Sequence, residues 1–199
     1  MTNSVRRFIR TVSIACILGA PALLTPIVSA AQANVVGLNA CSRSAASRPF
    51  APWLDFAKYE LAPGGAFESS TWTLTGGARR VAGSEPYAAT GTLGSSSLSL
   101  PAGSSARSPL VCVDATHPSI RFFIAGNGSV AVNVVDHGLV IPAGVAVAGG
   151  DWSPTPVMPT LSAVLSVLSG GTTQVSVTVT ALSGSPRIDD VFIDPWRGG

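Results

Sequence analysis

Residues 173–182, Thr-Gln-Val-Ser-Val-Thr-Val-Thr-Ala-Leu, alternate polar and apolar side chains almost without a break. Successive side chains of a strand point to opposite faces, so Val175, Val177, Val179 and Ala181 face a core and their neighbours face outward. The same period returns at Ser97-Leu98-Ser99-Leu100 and at Val130, Val132 and Val134. Gly, Pro, Asn and Asp clusters interrupt such runs about every ten residues. Many short strands with little helical periodicity predict an all-β chain folded as an antiparallel β-sandwich.

The first residues do not belong to that pattern. Arg6, Arg7 and Arg10 precede an apolar run from residue 11 to 30 that Pro21 and Pro26 interrupt. Ala31-Gln32-Ala33 supplies small residues for cleavage, so residues 1–33 read as an export signal rather than a membrane anchor. The mature protein is then expected outside the cytoplasm, with no membrane span after processing. The full chain carries 12 basic and 10 acidic residues. With the three arginines removed, nine basic residues face ten acids (12 − 3 against 10). No basic patch then points to nucleic acid. About 165 residues suit one domain, expected over 57–199 after an extended lead-in at 34–56. Of three cysteines, Cys16 leaves with the signal. Cys41 and Cys112 remain, and in an oxidising compartment they are expected to form a disulfide. The competing role for Cys41, a lipid attachment point, lies too far beyond the apolar run.

Within the body, Trp53 belongs to an apolar cluster expected to dock on the sandwich. Residues 58–61, 79–82, 97–100 and 109–113 read as strands, and Pro63-Gly64-Gly65 as a turn. Residues 83–94 form a loop containing Tyr87, a ligand-loop candidate by position. Ser119-Ile120-Arg121-Phe122-Phe123-Ile124 and the run 129–135 flank Gly126-Asn127-Gly128, which predicts a hairpin turn there. Asp136-His137-Gly138 predicts a second turn, residues 139–147 a returning strand and residues 151–159 an edge connection. Leu161, Val164, Leu165 and Leu168 have helical spacing and read as a short helix or turn.

The last strand, Arg187-Ile188-Asp189-Asp190-Val191-Phe192-Ile193-Asp194, holds two adjacent acids among apolar residues. Strict alternation places Ile188, Asp190 and Phe192 on one face, and Asp189, Val191 and Ile193 on the other. Both faces are mostly apolar, so both are expected to be covered. An unpaired buried carboxylate is too costly to keep, so a cationic partner is expected.

Gly64-Gly65-Ala66-Phe67-Glu68 followed by Trp72-Thr73-Leu74-Thr75-Gly76-Gly77-Ala78 resembles the opening of the galactose-binding-like jelly rolls. These include carbohydrate-binding modules appended to cellulases and xylanases. The Phe122-Phe123 strand, the Val-rich strand, Trp152 after a Gly turn, the run 175–179 and Ile188-Asp189-Asp190-Val191 follow in matching order, over residues 61–194. The whole mature chain also resembles small stand-alone secreted proteins of actinobacteria. The resemblance implies a structural calcium held by Glu68 and by Asp189 or Asp190, with carbonyls near Gly64. Hard oxygen ligands suit that ion. A salt bridge from Lys58 or Arg187 to the same carboxylates is the alternative. The resemblance also implies a polysaccharide or cell-envelope glycan as partner, with Tyr87, Arg121 and Asn133 lining a concave face. A structural or cell-surface interaction domain that has lost the sugar site is the rival.

Catalytic chemistry is sparse. His117 and His137 each stand beside a turn, outside any metal-ligand spacing, and no Gly-x-Ser-x-Gly elbow is present. A glycosidase needs two facing carboxylates, and the mature glutamates are Glu60, Glu68 and Glu85. The sequence therefore reads as a non-catalytic, monomeric binding protein.

Overall fold

The computed structural model describes residues 45–114, 117, 119–160 and 173–194. Its strands are β1 (Glu60–Leu61), β2 (Thr73–Thr75), β3 (Arg79–Ala82), β4 (Ser96–Ser99), β5 (Ser105–Arg107) and β6 (Val111–Val113). They continue with β7 (Ser119–Asp136), β8 (Leu139–Pro154), β9 (Met158–Pro159), β10 (Thr173–Gly184) and β11 (Arg187–Asp194). A single 3-10 turn, Ala51–Trp53, is the only helical element among the described residues. The strands pair antiparallel along one path, β2-β5-β10-β7-β11-β4-β3, with β1 on β11, β6 on β10, and β8 and β9 on β7. The result is an antiparallel β-sandwich of jelly-roll type; the alternating runs predict the sandwich, and the resemblance implies the jelly roll.

The long strand β7 joins the two layers. Its first part pairs with β11, from Ser119↔Asp194 to Ala125↔Arg187, and its second part pairs with β10, from Gly128↔Gly184 to Asp136↔Val175. Ile120, Phe122 and Ile124 from the first part and Val130, Val132 and Val134 from the second face the same core. The hairpin expected at Gly126-Asn127-Gly128 is therefore absent: the chain passes straight through. What those glycines provide is a corner. Gly126 and Gly128 have φ of 85° and 113°, in a region that favours glycine. A Cβ on Gly128 would lie 2.0 Å from the Ser183 carbonyl oxygen, so only glycine fits where β7 crosses to its second partner. Asn-Gly signals a chain reversal only when both flanks pair with each other, and here they find better partners elsewhere. The reversal comes at His137 and Gly138, where φ is 46° and 88°, and leads into β8 as expected.

Strand β10 keeps its predicted alternation, with Val175, Val177, Val179 and Ala181 at most 2% exposed. The edge connection expected over 151–159 is instead the end of β8 followed by β9, and β5 was not foreseen. Strand β11 does not alternate. Its register slips between Asp189 and Phe192, and Asp190 has φ of 46°. This bulge turns Val191 and Ile193 to the main core alongside Ile188, and sends Phe192 to a second cluster. The face assignment expected for Ile188, Asp190 and Phe192 is corrected accordingly. Both faces are covered, as expected.

The second cluster is built by the lead-in. Phe50 and Tyr59 are buried with Phe123 and Phe192 on the outer side of the β7–β11 layer, with Trp53 and Trp152 against them. Ser47 and Tyr59 bridge to each other, which folds the lead-in back onto the sheet. Trp53 thus packs, in the role foreseen. The helix or turn expected around Leu165 lies outside the described residues, as does Cys41.

Candidate functional site

The loop between β3 and β4 is bound to the end of the chain. Ser84 Oγ and the Glu85 amide donate to Asp189 Oδ2 at 2.7 and 3.0 Å, and the Asp190 amide donates to Asp189 Oδ1 at 2.9 Å. Glu85 then organises its own loop: Oε1 accepts the Ala89 amide at 2.9 Å, and Oε2 accepts the Tyr87 amide. Asp190 lies beside Glu85, whose proximity adds to the rise of its carboxyl. Glu85 and Asp189 are 0% exposed and Asp190 3%. Burial, only partly offset by these hydrogen bonds, pushes the Asp189 carboxyl up to about 6. Burial, then the nearby charges of Asp189 and Glu85, raise Asp190 well above the usual carboxylate range.

The cationic partner expected for these acids is missing among the described residues. Arg187 donates instead to Ser97 Oγ and to the carbonyls of Ala82 and Gly83. Glu68, expected as a calcium ligand with Asp189 or Asp190, is near enough to add to the rise of the Asp190 carboxyl. It is exposed, and its carboxylate accepts from the Ser95 amide and hydroxyl at 2.7 and 2.6 Å and from the Ser96 amide at 2.9 Å. These bonds, the Ser95 hydroxyl first, hold its carboxyl below the usual value. The Gly65 carbonyl near the expected site accepts the Val191 amide at 3.1 Å, which braces the β11 bulge. No group of three His, Cys, Asp or Glu among the described residues is placed to hold a metal ion. Sequence reasoning missed Glu85. Its signal was local: a glutamate two residues before Tyr87, in a loop with nothing else acidic.

The same loop presents an aromatic rim. Tyr87 is 45% exposed, and its ring meets Trp53 edge-on at 4.8 Å and rests against Phe123 at 5.5 Å. Its hydroxyl donates to the Trp152 carbonyl at 2.6 Å, which fixes the ring's tilt. The Arg187 guanidinium lies 5.5 Å from the Trp152 ring centroid. Leu54 and Phe56 stand exposed on the neighbouring lead-in.

Of the three residues expected to line one face, only Tyr87 is at this rim. Arg121 is buried beneath the lead-in, where it pairs with Asp55 at 2.5 Å, donates to the Thr155 carbonyl and lies over the Phe50 ring at 4.4 Å. Burial works to raise the Asp55 carboxyl, but hydrogen bonds from Tyr59, Arg121 and Ala57 outweigh it and hold it below its usual value. Asn133 lies in the second part of β7, on the outer face of the other layer, opposite Thr178 and Pro142. The alternation of β7 placed Asn133 outward correctly; the passage of β7 between layers is what separates it from Tyr87. Trp72 is core, with its indole N–H on the Pro63 carbonyl at 3.0 Å. His117 is buried against Asp114, and His137 is exposed beside Asp136.

No family model matches the chain, and no curated protein does. The fold is similar to the C-terminal family 6 carbohydrate-binding module of LamC, a laminarinase from Zobellia galactanivorans. The match has 13% identity and a TM-score of 0.46, and covers 65% of this chain and 95% of that one. It is also similar to CsCBM6-3 from Clostridium stercorarium, solved with cellobiose, at 13% identity and a TM-score of 0.43, over 65% and 90% of the two chains. A third likeness is to TmCBM61, solved with β-1,4-galactotriose, at 17% identity and a TM-score of 0.38, over 68% and 97%. The actinobacterial likeness stays a resemblance of sequence pattern.

Proposed function

We propose that this protein is a secreted, non-catalytic glycan-binding sandwich whose sugar contact is the Tyr87–Trp152 rim. The observation that carries the reading is the rigid, half-exposed Tyr87 ring, tied through its hydroxyl to the Trp152 carbonyl. Sugar rings stack on aromatic faces held in place by packing, while nearby polar groups take their hydroxyls. Arg187, whose guanidinium lies at the Trp152 ring, is the nearest such donor. The partner is a polysaccharide or cell-envelope glycan, and a Cys41–Cys112 disulfide ties the lead-in to the body.

Calorimetric titration of the mature protein with soluble plant, fungal and bacterial polysaccharides tests this. Binding by the wild type, lost in Tyr87→Ala and kept in Asn133→Ala, is the expected result. Silence across the panel removes the glycan. It leaves the second reading, a surface-interaction domain. That reading is favoured by the exposed aliphatic row of β8, where Val140, Val145 and Val147 are 58%, 54% and 70% exposed.

A further inference from the structure

We infer that Glu85 and Asp189 are positioning residues for the Tyr87 loop, and that hydrogen bonds from this loop, rather than a metal ion, close it onto the last strand. The consequence for ligand affinity rests on the glycan reading above; the positioning itself does not.

Three features lead there. The first is the set of hydrogen bonds these acids already accept. Both oxygens of Asp189 accept hydrogen bonds, from Ser84, the Glu85 amide and the Asp190 amide. Both oxygens of Glu85 also accept, from the Tyr87 and Ala89 amides, and Glu68 is occupied by Ser95 and Ser96. Calcium takes six to eight oxygen ligands. Asp189 Oδ2 already accepts two of these bonds, so a calcium ion could use that oxygen only by displacing Ser84 or the Glu85 amide. The second is location. The acids are not beside the rim by accident of burial, because the two amides that Glu85 holds flank Ala88 and one of them is that of Tyr87 itself. The third is strain. Ala88 has φ of 52°, a conformation costly for a residue with a Cβ. Such a residue persists only where its surroundings over-determine it, and here both neighbours' positions are fixed by one carboxylate. The chain of contact runs from Asp189 through Ser84 and Glu85 to Tyr87, and from the Tyr87 hydroxyl to Trp152.

Hydrogen exchange on the full-length secreted protein, compared with Glu85→Gln, tests the positioning. A glutamine keeps one acceptor and puts an NH₂ where a second is needed. The Tyr87 and Ala89 amides should exchange at least about tenfold faster, while Val132 and Val177 in the core strands keep their rates. Ser84→Ala, a surface-tolerant change that removes one donor to Asp189, should speed exchange at the Glu85 amide and carries the test should Glu85→Gln fail to fold. The melting temperature should be the same in calcium and in EGTA. Wild-type exchange rates at these amides in the variants, or a rise of several degrees on adding calcium, would overturn the inference. If a glycan binds the wild type, Glu85→Gln should weaken it about tenfold or more with no loss of global stability sufficient to explain it. If no glycan binds at all, the exchange contrast still stands or falls by itself.

Discussion

The two parts of β7 obey different rules although they are one strand. Residues 119–125 are buried throughout, with Ile120, Phe122 and Ile124 in the main core and Phe123 under the aromatic lead-in. Residues 129–136 bury every second side chain, leaving Ser129, Ala131, Asn133 and Val135 half-exposed. The backbone is the same; the difference is what lies on the outer face. Over the first part sit the lead-in and the Tyr87 loop, and a cation such as Arg121 must find an anion there, which Asp55 provides. The second part contributes nothing to that outer cluster among the described residues, and its outward side chains are half-exposed, where polar residues cost little. The doubly covered part therefore supports the candidate site, and the singly covered part is scaffold.

That contrast can be broken or sharpened by substitution. Phe123→Ala should be the most damaging, at about 3–5 kcal/mol in chemical denaturation, because it opens a cavity under both Trp53 and Tyr87. A loss below about 1 kcal/mol would mean the outer cluster is loosely packed and the contrast is wrong. Arg121→Ala should cost about 3 kcal/mol, since it strands Asp55 beneath the lead-in. It should also expose the lead-in to protease, which a cleavage time course would show. Val132→Ala, in the singly covered part, should cost about 2 kcal/mol from the main core alone and leave Tyr87 fluorescence unchanged.

A smaller effect concerns pH. Asp194 is buried with one carboxylate oxygen lacking a partner, and burial pushes it up to about 6, as it does Asp189. A folded carboxyl with a raised value keeps a proton that the unfolded chain has already lost. Stability contributed by these groups therefore falls as pH rises from about 4 through about 6, and Asp190 extends the decline upward. Denaturation across that window should show the slope, and Asp194→Asn should flatten its lower part; a rise in stability over the same window would contradict these assignments. Asn133→Ala should change stability least, within about 0.5 kcal/mol.

The two parts of β7 also show what could be read in advance. Ile-Arg-Phe-Phe-Ile is nearly continuous in apolar character and Val-Ala-Val-Asn-Val alternates, so the burial regimes were legible in the residues. The turn between them was misread because Asn-Gly is a local signal, and its flanks pair with β11 and β10 rather than with each other. At the candidate site, the exposed position of Tyr87 in its loop and the burial of at least one acid of β11 were legible. Arg121 was misplaced because nothing in its neighbourhood of sequence reveals Asp55, 66 residues away. Glu85 was missed because its role exists only once the loop meets the last strand.

The order of residues alone determined the all-β class, the core faces of β10 and the second part of β7, and the covering of both faces of β11. Each follows from side-chain period and burial cost, which act within a few residues. Tertiary structure decided that β7 runs through its corner, that a bulge at Asp190 reverses the faces beyond it, and that the β3–β4 loop donates hydrogen bonds to Asp189. Those outcomes are competitions between distant backbone segments for the same hydrogen bonds. The winner depends on which segments the fold brings within reach, and no local window contains that information.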